Sequence, residues 1–466
     1  RVKGGPADYF IKGKKVTLEE PHDKEGLIMH RDFGGVSRWR TCYTADGTGH
    51  TVLYTMDNMV VQLGITVHDR MEAISLIHDG TRCLGAVVRC LRTGALKSYL
   101  AKATVIATGG FGRVYKYSTN AIINQGTGQS IALDTGIVPM GNMEAVQFHP
   151  TGIVPTDILV TEGCRGDGGL LLDVDEYRFM PDYEPEKQEL ASRDVVSRRM
   201  AEHIQKGKGV PSPDGDHLWL DLRHLGEQHL RTKLREVYDI CMYFLGVNPI
   251  KELVPVRPTQ HYSMGGIRVN KDGHAYGLEG LWSVGESACW DMHGMNRLGG
   301  NSLAETVVAG MFCGERLGQW ASKQTLSLDA GLAAKAVAVQ QERIDALLGD
   351  GLGQANENAD ELLNIMQETL QDKVGIFRKG DELAEAVDTL RDLYQRAQNL
   401  KLRSSTRGAN PEVALALRLP GMIKLGLCVA KGALLRTESR GGHSREDYPE
   451  RNDKEWLNRT LARWPE

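Results

Sequence analysis

The sequence predicts a mixed α/β fold, interrupted by an inserted α+β segment and followed by a helical region. Three observations carry this. Thr104-Val105-Ile106-Ala107 is a short buried-strand pattern that runs into Thr108-Gly109-Gly110, and Leu281-Trp282-Ser283-Val284-Gly285-Glu286 repeats the arrangement. Strands that end in small residues let a ligand approach the backbone at their carboxyl ends, where open α/β sheets bind nucleotides. Between them, residues 153–258 are more charged and carry turn clusters such as Pro211-Ser212-Pro213-Asp214-Gly215. After residue 328 the apolar spacing becomes helical, as in Leu362, Ile365, Met366 and Leu370, then Leu383, Ala386, Val387, Leu390 and Leu393.

The expected division follows the chain: 1–152 and 259–328 form one sheet-bearing domain, 153–258 the insertion, 329–445 the helical domain, and 446–466 the start of a further one. A chain of 466 residues supports about three domains by the usual size prior. With 25% charged and 41% hydrophobic residues the composition is that of an ordinary globular protein. A formal net charge of −4 argues against a general nucleic-acid binder. No apolar run approaches the roughly 18 residues of a membrane span, so membrane attachment is expected to need a partner.

Eight scattered cysteines, at 42, 83, 90, 164, 241, 289, 313 and 428, include no C-x-x-C pair. A zinc site or iron–sulfur cluster within the chain is therefore not expected, and free thiols fit a reducing compartment. Arg1–Lys24 has neither a signal h-region nor a complete folding unit, so the chain is expected to be an internal portion of a longer protein.

Four segments carry chemistry. His149 stands in Gln147-Phe148-His149-Pro150-Thr151 and His261 in His261-Tyr262-Ser263-Met264-Gly265-Gly266. Arg193 follows Ser192, and Arg297 opens Arg297-Leu298-Gly299-Gly300-Asn301-Ser302-Leu303-Ala304-Glu305. Two imidazoles and two guanidiniums could hold a small dicarboxylate at both ends, because a planar guanidinium forks onto a carboxylate through two parallel hydrogen bonds. Ser302 and Glu305 read as a capping box opening an apolar helix over 302–320, whose positive end suits an anionic group such as a reduced flavin. Thr161-Glu162-Gly163-Cys164-Arg165-Gly166-Asp167-Gly168-Gly169 crowds an acid, a base and four glycines into nine residues, which suits proton relay; the bland alternative is an exposed charged loop. Read alone, Arg193-Asp194 also fits a solvated helix pair, His149 a satisfied core histidine, and Phe33 plain packing. The complete G-x-G-x-x-G fingerprint does not occur.

Taken together the motifs resemble the flavoprotein subunit of the succinate dehydrogenase/fumarate reductase family, essentially end to end. The late segment Glu438-Ser439-Arg440-Gly441-Gly442-His443-Ser444-Arg445 is similar to the family's ESRG-x-H-x-R stretch. His30-Arg31-Asp32-Phe33-Gly34-Gly35 and Phe179-Met180-Pro181-Asp182-Tyr183-Glu184-Pro185-Glu186 look most like menaquinol-oxidising fumarate reductases of anaerobic bacteria.

The resemblance implies an α/β FAD-binding fold with a mobile α+β capping domain and a C-terminal helical domain. It implies that His261 and Arg297 hold one substrate carboxylate, while His149, Thr161, Gln147 and the backbone near Gly300 hold or polarise the other end. Phe33 would pack on the substrate, and Arg193 would donate the proton, fed through Glu162 and Arg165. Ala107, Thr108, Gly109, Gly110, Tyr262, Glu286, Arg297, Asn301, Ser302 and Leu303 would contact FAD. The dinucleotide fingerprint and the histidine that carries FAD covalently would lie before Arg1.

Many relatives have Thr-Gly-Asp where this chain has Thr127-Gly128-Gln129, so that carboxylate contact does not transfer. Iron–sulfur clusters, with or without haem, are implied only in partner subunits. Those partners are an iron–sulfur subunit and a membrane anchor at the cytoplasmic face of the cytoplasmic membrane; the substrate is fumarate or succinate, and no nucleic acid is expected. Competing readings are succinate dehydrogenase working in the oxidising direction, an L-aspartate oxidase-like flavoenzyme, and a non-catalytic docking subunit.

Overall fold

A computed structural model describes residues 7–11, 14–18, 30–31, 33–36, 41–44, 46–327, 329–349 and 357–465. Asp32 of the His30–Gly35 motif and much of Arg1–Lys24 lie outside the described residues. The chain divides into two compact units: Arg1–Val67, Phe148–Thr259 and Arg297–Ala304 form the first, and the remainder forms the second.

In the first unit, Leu170–Leu172, Leu218–Asp221 and Val254–Ser263 are successive antiparallel neighbours in a four-stranded sheet that also includes Val146–Ile153. Leu171 faces Leu220 and Leu220 faces Val254 across the ladder. Their inward side chains join Ile153, Val160, Phe179, Met180, Val196, Met200, Leu230 and Val237 in one core. Val196 and Met200 come from the helix Arg193–His203, a spacing of four that stacks them on one helix face and seats that helix on the core. The first residue of this helix is Arg193, one of the expected site residues, so the core fixes its position.

In the second unit, Met71–His78, Cys83–Cys90 and Leu96–Leu100 form an antiparallel sheet. Thr104–Ile106 pairs in parallel with Leu281–Ser283, which joins the two strand-to-small-residue segments picked out in the sequence. One detail corrects the sequence reading: Val105 is 45% exposed, and only Ile106 of the three is buried. Among the described residues this pair is two strands wide, which leaves one face of Val105 in solvent.

Four helices follow, Ala330–Leu348, Ala359–Lys373, Gly380–Ala397 and Pro411–Leu435. Leu362, Met366 and Leu370, and Leu383, Val387 and Leu390, are buried as their spacing demands. The last helix is long and apolar enough by composition to cross a membrane, contrary to the sequence reading. Most of it is buried in its own unit, against the helices Ala359–Lys373 and Gly380–Ala397. Two of its charged residues find partners in the same unit: Lys424 Nζ donates to Asp134 Oδ1 at 2.8 Å, and Arg418 pairs with Glu72.

Candidate functional site

In the first unit the Glu162 carboxylate is enclosed by donors. Its Oε2 accepts from Arg193 Nε at 2.7 Å and its Oε1 from the backbone N–H of Gly34 at 2.6 Å. Glu162 and Arg193 are 1% and 7% exposed, and Arg165 is 2% exposed. The exposed-loop reading of 161–167 and the solvated reading of Arg193 are therefore both wrong; a single helical turn, Gly163–Gly166, folds the acid and the base inward. Burial alone would raise the Glu162 carboxyl. The charges of Arg193 and Arg165, with the two hydrogen bonds, outweigh it and hold the carboxyl below its ordinary value. Burial pushes the Arg165 guanidinium down, an effect that Glu162 opposes.

Gly299 completes this cluster. A Cβ there would stand 2.7 Å from the Phe33 ring, 3.0 Å from Glu162 Oε2 and 3.1 Å from Arg193 Nη2, so Phe33, Glu162 and Arg193 converge on one glycine. Phe33 and Gly299 come from segments far apart in the sequence. Gly299 lay inside a quoted motif without a role, and only the close approach of three side chains gives it one.

His149 is fully buried. Its Nδ1 accepts from the backbone N–H of Thr151 at 3.2 Å, which leaves the neutral ring carrying its proton on Nε2. The Thr151 hydroxyl donates to the Val160 carbonyl at 2.8 Å. The Thr161 hydroxyl accepts from the Gly163 N–H at 3.2 Å. Arg297, 98% buried, donates from Nη1 to the Leu298 carbonyl at 3.1 Å. Gly300 has φ +78°, a conformation that favours glycine, and its carbonyl accepts from the Ala304 N–H at 3.2 Å.

Gly300 is thus the residue that caps the helix Asn301–Ser322, and Ser302 lies inside the first turn. The capping box expected from Ser302 and Glu305 is not formed. Glu305 Oε2 instead accepts from the Tyr262 hydroxyl at 2.9 Å and pairs with His293 Nε2 at 2.6 Å, both within the second unit.

The second unit holds the other expected residues. Gln147 Nε2 donates to Asn296 Oδ1 at 2.6 Å, and His261 Nδ1 pairs with the Thr119 hydroxyl at 2.8 Å. Asn120 Nδ2 donates to the His261 carbonyl at 2.8 Å. The sequence reading gave Asn296, Thr119 and Asn120 no role; the amide of Asn296 beside Arg297 was the one available signal.

Thr108-Gly109-Gly110 forms a bend at the end of its strand, with Gly109 at φ +73°. A Cβ on Gly110 would meet Glu286 Oε1 at 2.4 Å, and a Cβ on Gly128 would meet the Thr108 hydroxyl at 2.2 Å. The carboxylate of Glu286 accepts from the Ser263 N–H at 2.8 Å, and Gln129 Nε2 donates to the Gly109 carbonyl at 2.8 Å. Ala107 and Thr108 are exposed, and Gln129 Oε1 is buried with no hydrogen-bond partner among the described residues. An open strand end, a left-handed glycine and an unsatisfied acceptor fit a flavin nucleotide, with Thr108–Gly110 and Glu286 as the residues that would hold it. In the first unit Asn301, Ser302 and Leu303 present a helix N-terminus of the kind that stabilises negative charge.

In the second unit the ESRG-x-H-x-R segment buries Glu438, His443 and Arg445. His443 Nδ1 accepts from Arg378 Nη1 at 2.7 Å and its Nε2 donates to the Arg436 carbonyl at 3.1 Å. Arg436 Nε donates to Glu144 Oε1 at 2.8 Å, and the Gly442 N–H to the Met295 carbonyl at 2.8 Å. The segment therefore supports the strand that leads to Gln147 and the loop that leads to Asn296.

An FAD binding domain family matches residues 8–303, and a fumarate reductase flavoprotein C-terminal family matches 364–466. The chain is 47% identical, over all of its length and 68% of the relative's, to the fumarate reductase flavoprotein subunit of Helicobacter pylori. It is 36% identical to the succinate dehydrogenase flavoprotein subunit of Rickettsia bellii, covering 98% of the chain and 78% of that relative. Among solved structures, a variant of the Escherichia coli quinol fumarate reductase superposes with a TM-score of 0.88 at 36% identity, covering 94% of this chain and 76% of that one.

Proposed function

Because the chain belongs to the flavoprotein family shared by fumarate reductase and succinate dehydrogenase, and is an FAD-dependent oxidoreductase of mixed α/β fold, we propose that it is the catalytic flavoprotein subunit of a quinol:fumarate reductase. The observation that carries this reading is the buried Arg193–Glu162 pair beside Phe33 and Gly299.

Interconversion of fumarate and succinate moves a hydride at one carbon and a proton at the next. FAD, when bound, supplies or accepts the hydride. Arg193 serves the proton. An arginine, with an aqueous pKa above about 12, is a poor acid toward water but a competent one toward a carbanion. Glu162, ionised and hydrogen-bonded to Arg193, takes a proton from the Arg165 side and passes it on, so that Arg193 regains its charge for the next cycle.

Charge that develops on the substrate in reduction is met by fixed donors in a site that excludes water. We assign that work to Arg297, to His149 through its Nε2–H, to Thr161 and to the Gly300 backbone. Gln147 and His261 are assigned substrate contacts by their amide and imidazole chemistry, with His261 and Arg297 on one carboxylate, and Phe33 packs on the substrate. Ala107, Thr108, Gly109, Gly110, Tyr262, Glu286, Arg297, Asn301, Ser302 and Leu303 are assigned to FAD. Residues 153–258 are assigned as a capping domain, 329–445 as the helical domain and 446–466 as the start of a further one. The partners are an iron–sulfur subunit and a membrane anchor, which hold the flavoprotein peripherally at the cytoplasmic face. The electron donor is menaquinol.

The same residues run in reverse for succinate oxidation, and likeness to the Rickettsia succinate dehydrogenase subunit supports that as the second reading. Fumarate-dependent oxidation of a reduced viologen by the full-length complex tests the proposal. Activity abolished in Arg297→Ala supports a dicarboxylate flavoenzyme using this site. A flavin-loaded wild type that is inert toward both fumarate and succinate would overturn it.

A further inference from the structure

The short turn Gln188–Leu190 holds the Arg165 end of the Arg193–Glu162–Arg165 array and the loop that binds its centre. The Glu189 carbonyl accepts from Arg165 Nη1. The Leu190 carbonyl accepts from the Gly35 N–H at 3.3 Å, next to the Gly34 N–H that binds Glu162. The remaining Arg165 nitrogens, Nε and Nη2, are buried with no hydrogen-bond partner among the described residues. Glu162 acts on Arg165 through charge. The Glu189 carbonyl is therefore what orients Arg165.

A single 3₁₀ turn has little rigidity of its own. Here it is fixed by its side chain. The buried Glu189 carboxylate accepts from Arg178 Nε at 2.9 Å and Arg178 Nη2 at 2.7 Å, a two-point contact that sets orientation as well as distance. Arg178 Nη2 also reaches Gln188 Oε1 at 2.5 Å, so both of the first two residues of the turn are gripped. The Arg178 side chain is 37% exposed and hydrogen-bonds none of the relay side chains among its described contacts, so its link to the array runs through this turn.

We propose that Arg178 and Glu189 are positioning residues for proton delivery: their ion pair sets where Arg165 lies relative to Glu162, and so governs how fast Arg193 is recharged. The inference rests on the proposed reading of Arg193 as proton donor. In each reductive cycle one proton leaves Arg193 for the substrate carbon, and one enters from solvent through Arg165 and Glu162, which returns the array to its starting charge.

The test uses the flavin-loaded full-length complex with saturating reduced viologen, comparing wild type, Glu189→Gln, Glu189→Asp, Arg178→Lys and Arg193→Ala. Glu189→Gln is expected to lower kcat about 10-fold or more, with KM changed less than about 2-fold. It is also expected to raise the solvent deuterium isotope effect on kcat, as proton delivery becomes limiting. Glu189→Asp, which keeps the charge, is expected to recover part of the loss. Wild-type kcat and isotope effect in Glu189→Gln would overturn the proposal. So would a loss that appears only as raised KM. If Glu189→Gln does not load flavin, Arg178→Lys, altered at a partly exposed position, decides by the same readouts. Arg193→Ala separates the levels: full kcat there defeats the relay itself, whereas a dead Arg193→Ala beside a normal Glu189→Gln defeats only the positioning role.

Discussion

Arg193 Nε and Glu162 Oε2 stand 2.7 Å apart with both side chains buried, although 31 residues separate them in sequence. Enclosure makes this contact consequential. A buried charge stripped of its partner is costly, whereas the intact pair is merely tolerated.

Arg193→Ala is expected to cost about 3–5 kcal/mol of unfolding free energy, because it removes the ion-pair partner of the buried Glu162 carboxylate. Turnover is expected to fall by roughly 10² or more, with KM little changed, since the proton donor acts in the transition state. Denaturation curves and steady-state kinetics on the same preparation check both, and an unchanged kcat would contradict the assigned role.

The acid limb of stability reports on Glu162. Burial works against its ionised form, but the two arginines win and its carboxyl sits below the ordinary value of 4.5. A lowered acid stabilises the fold fully above that value, and the contribution is lost as pH falls through the lowered native one. Thermal melts of wild type and Glu162→Gln are therefore expected to differ by a constant amount from pH 7 to 5 and to converge below about pH 4.5. Convergence between pH 7 and 5 would be inconsistent with this assignment.

Gly299→Ala places a methyl group 2.7 Å from the Phe33 ring and 3.1 Å from Arg193 Nη2. Overpacking of this kind costs about 1–3 kcal/mol. The larger effect is expected on kcat, because the groups pushed aside are the ring and the guanidinium assigned to the substrate. A melting-temperature drop without a kinetic effect would remove Gly299 from the site.

His443 is neutral, its ring held well below the ordinary value by burial and then by Arg378. An unfolded chain takes up a proton near pH 6.5 that the folded one refuses, so this residue subtracts stability as pH falls below that point. The slope is up to about 1.4 kcal/mol per pH unit. His443→Gln can accept from Arg378 and donate to the Arg436 carbonyl as the imidazole does, and is expected to flatten the profile between pH 6.5 and 5. A profile as steep as the wild type's would show that another group is responsible.

Much of this was legible in the sequence, for identifiable reasons. Period-3.6 spacing marked Leu362, Met366 and Leu370 as a buried face, and the glycines after Ile106 marked a strand end. Local patterns failed where a distant partner decides. Ser302 and Glu305 have capping spacing, yet Gly300 takes the cap and Glu305 goes to Tyr262 and His293. Lys424 and Arg418 broke the apolar run of Pro411–Leu435 on paper, while in the fold they reach Asp134 and Glu72. The burial of Arg193 could not be read from Arg193-Asp194, because its partner is Glu162.

The carboxylate of Glu162 is pressed from two sides by glycines far apart in the chain. A Cβ at Gly34 would lie 2.4 Å from its Oε1, and one at Gly299 would lie 3.0 Å from its Oε2. These two positions and residue 162 are therefore sterically coupled. A side chain gained at either glycine meets the same carboxylate, so the costs of the two changes should not add. Drift at residue 34 is thereby tied to residue 299, a dependence invisible to any inspection of single sites.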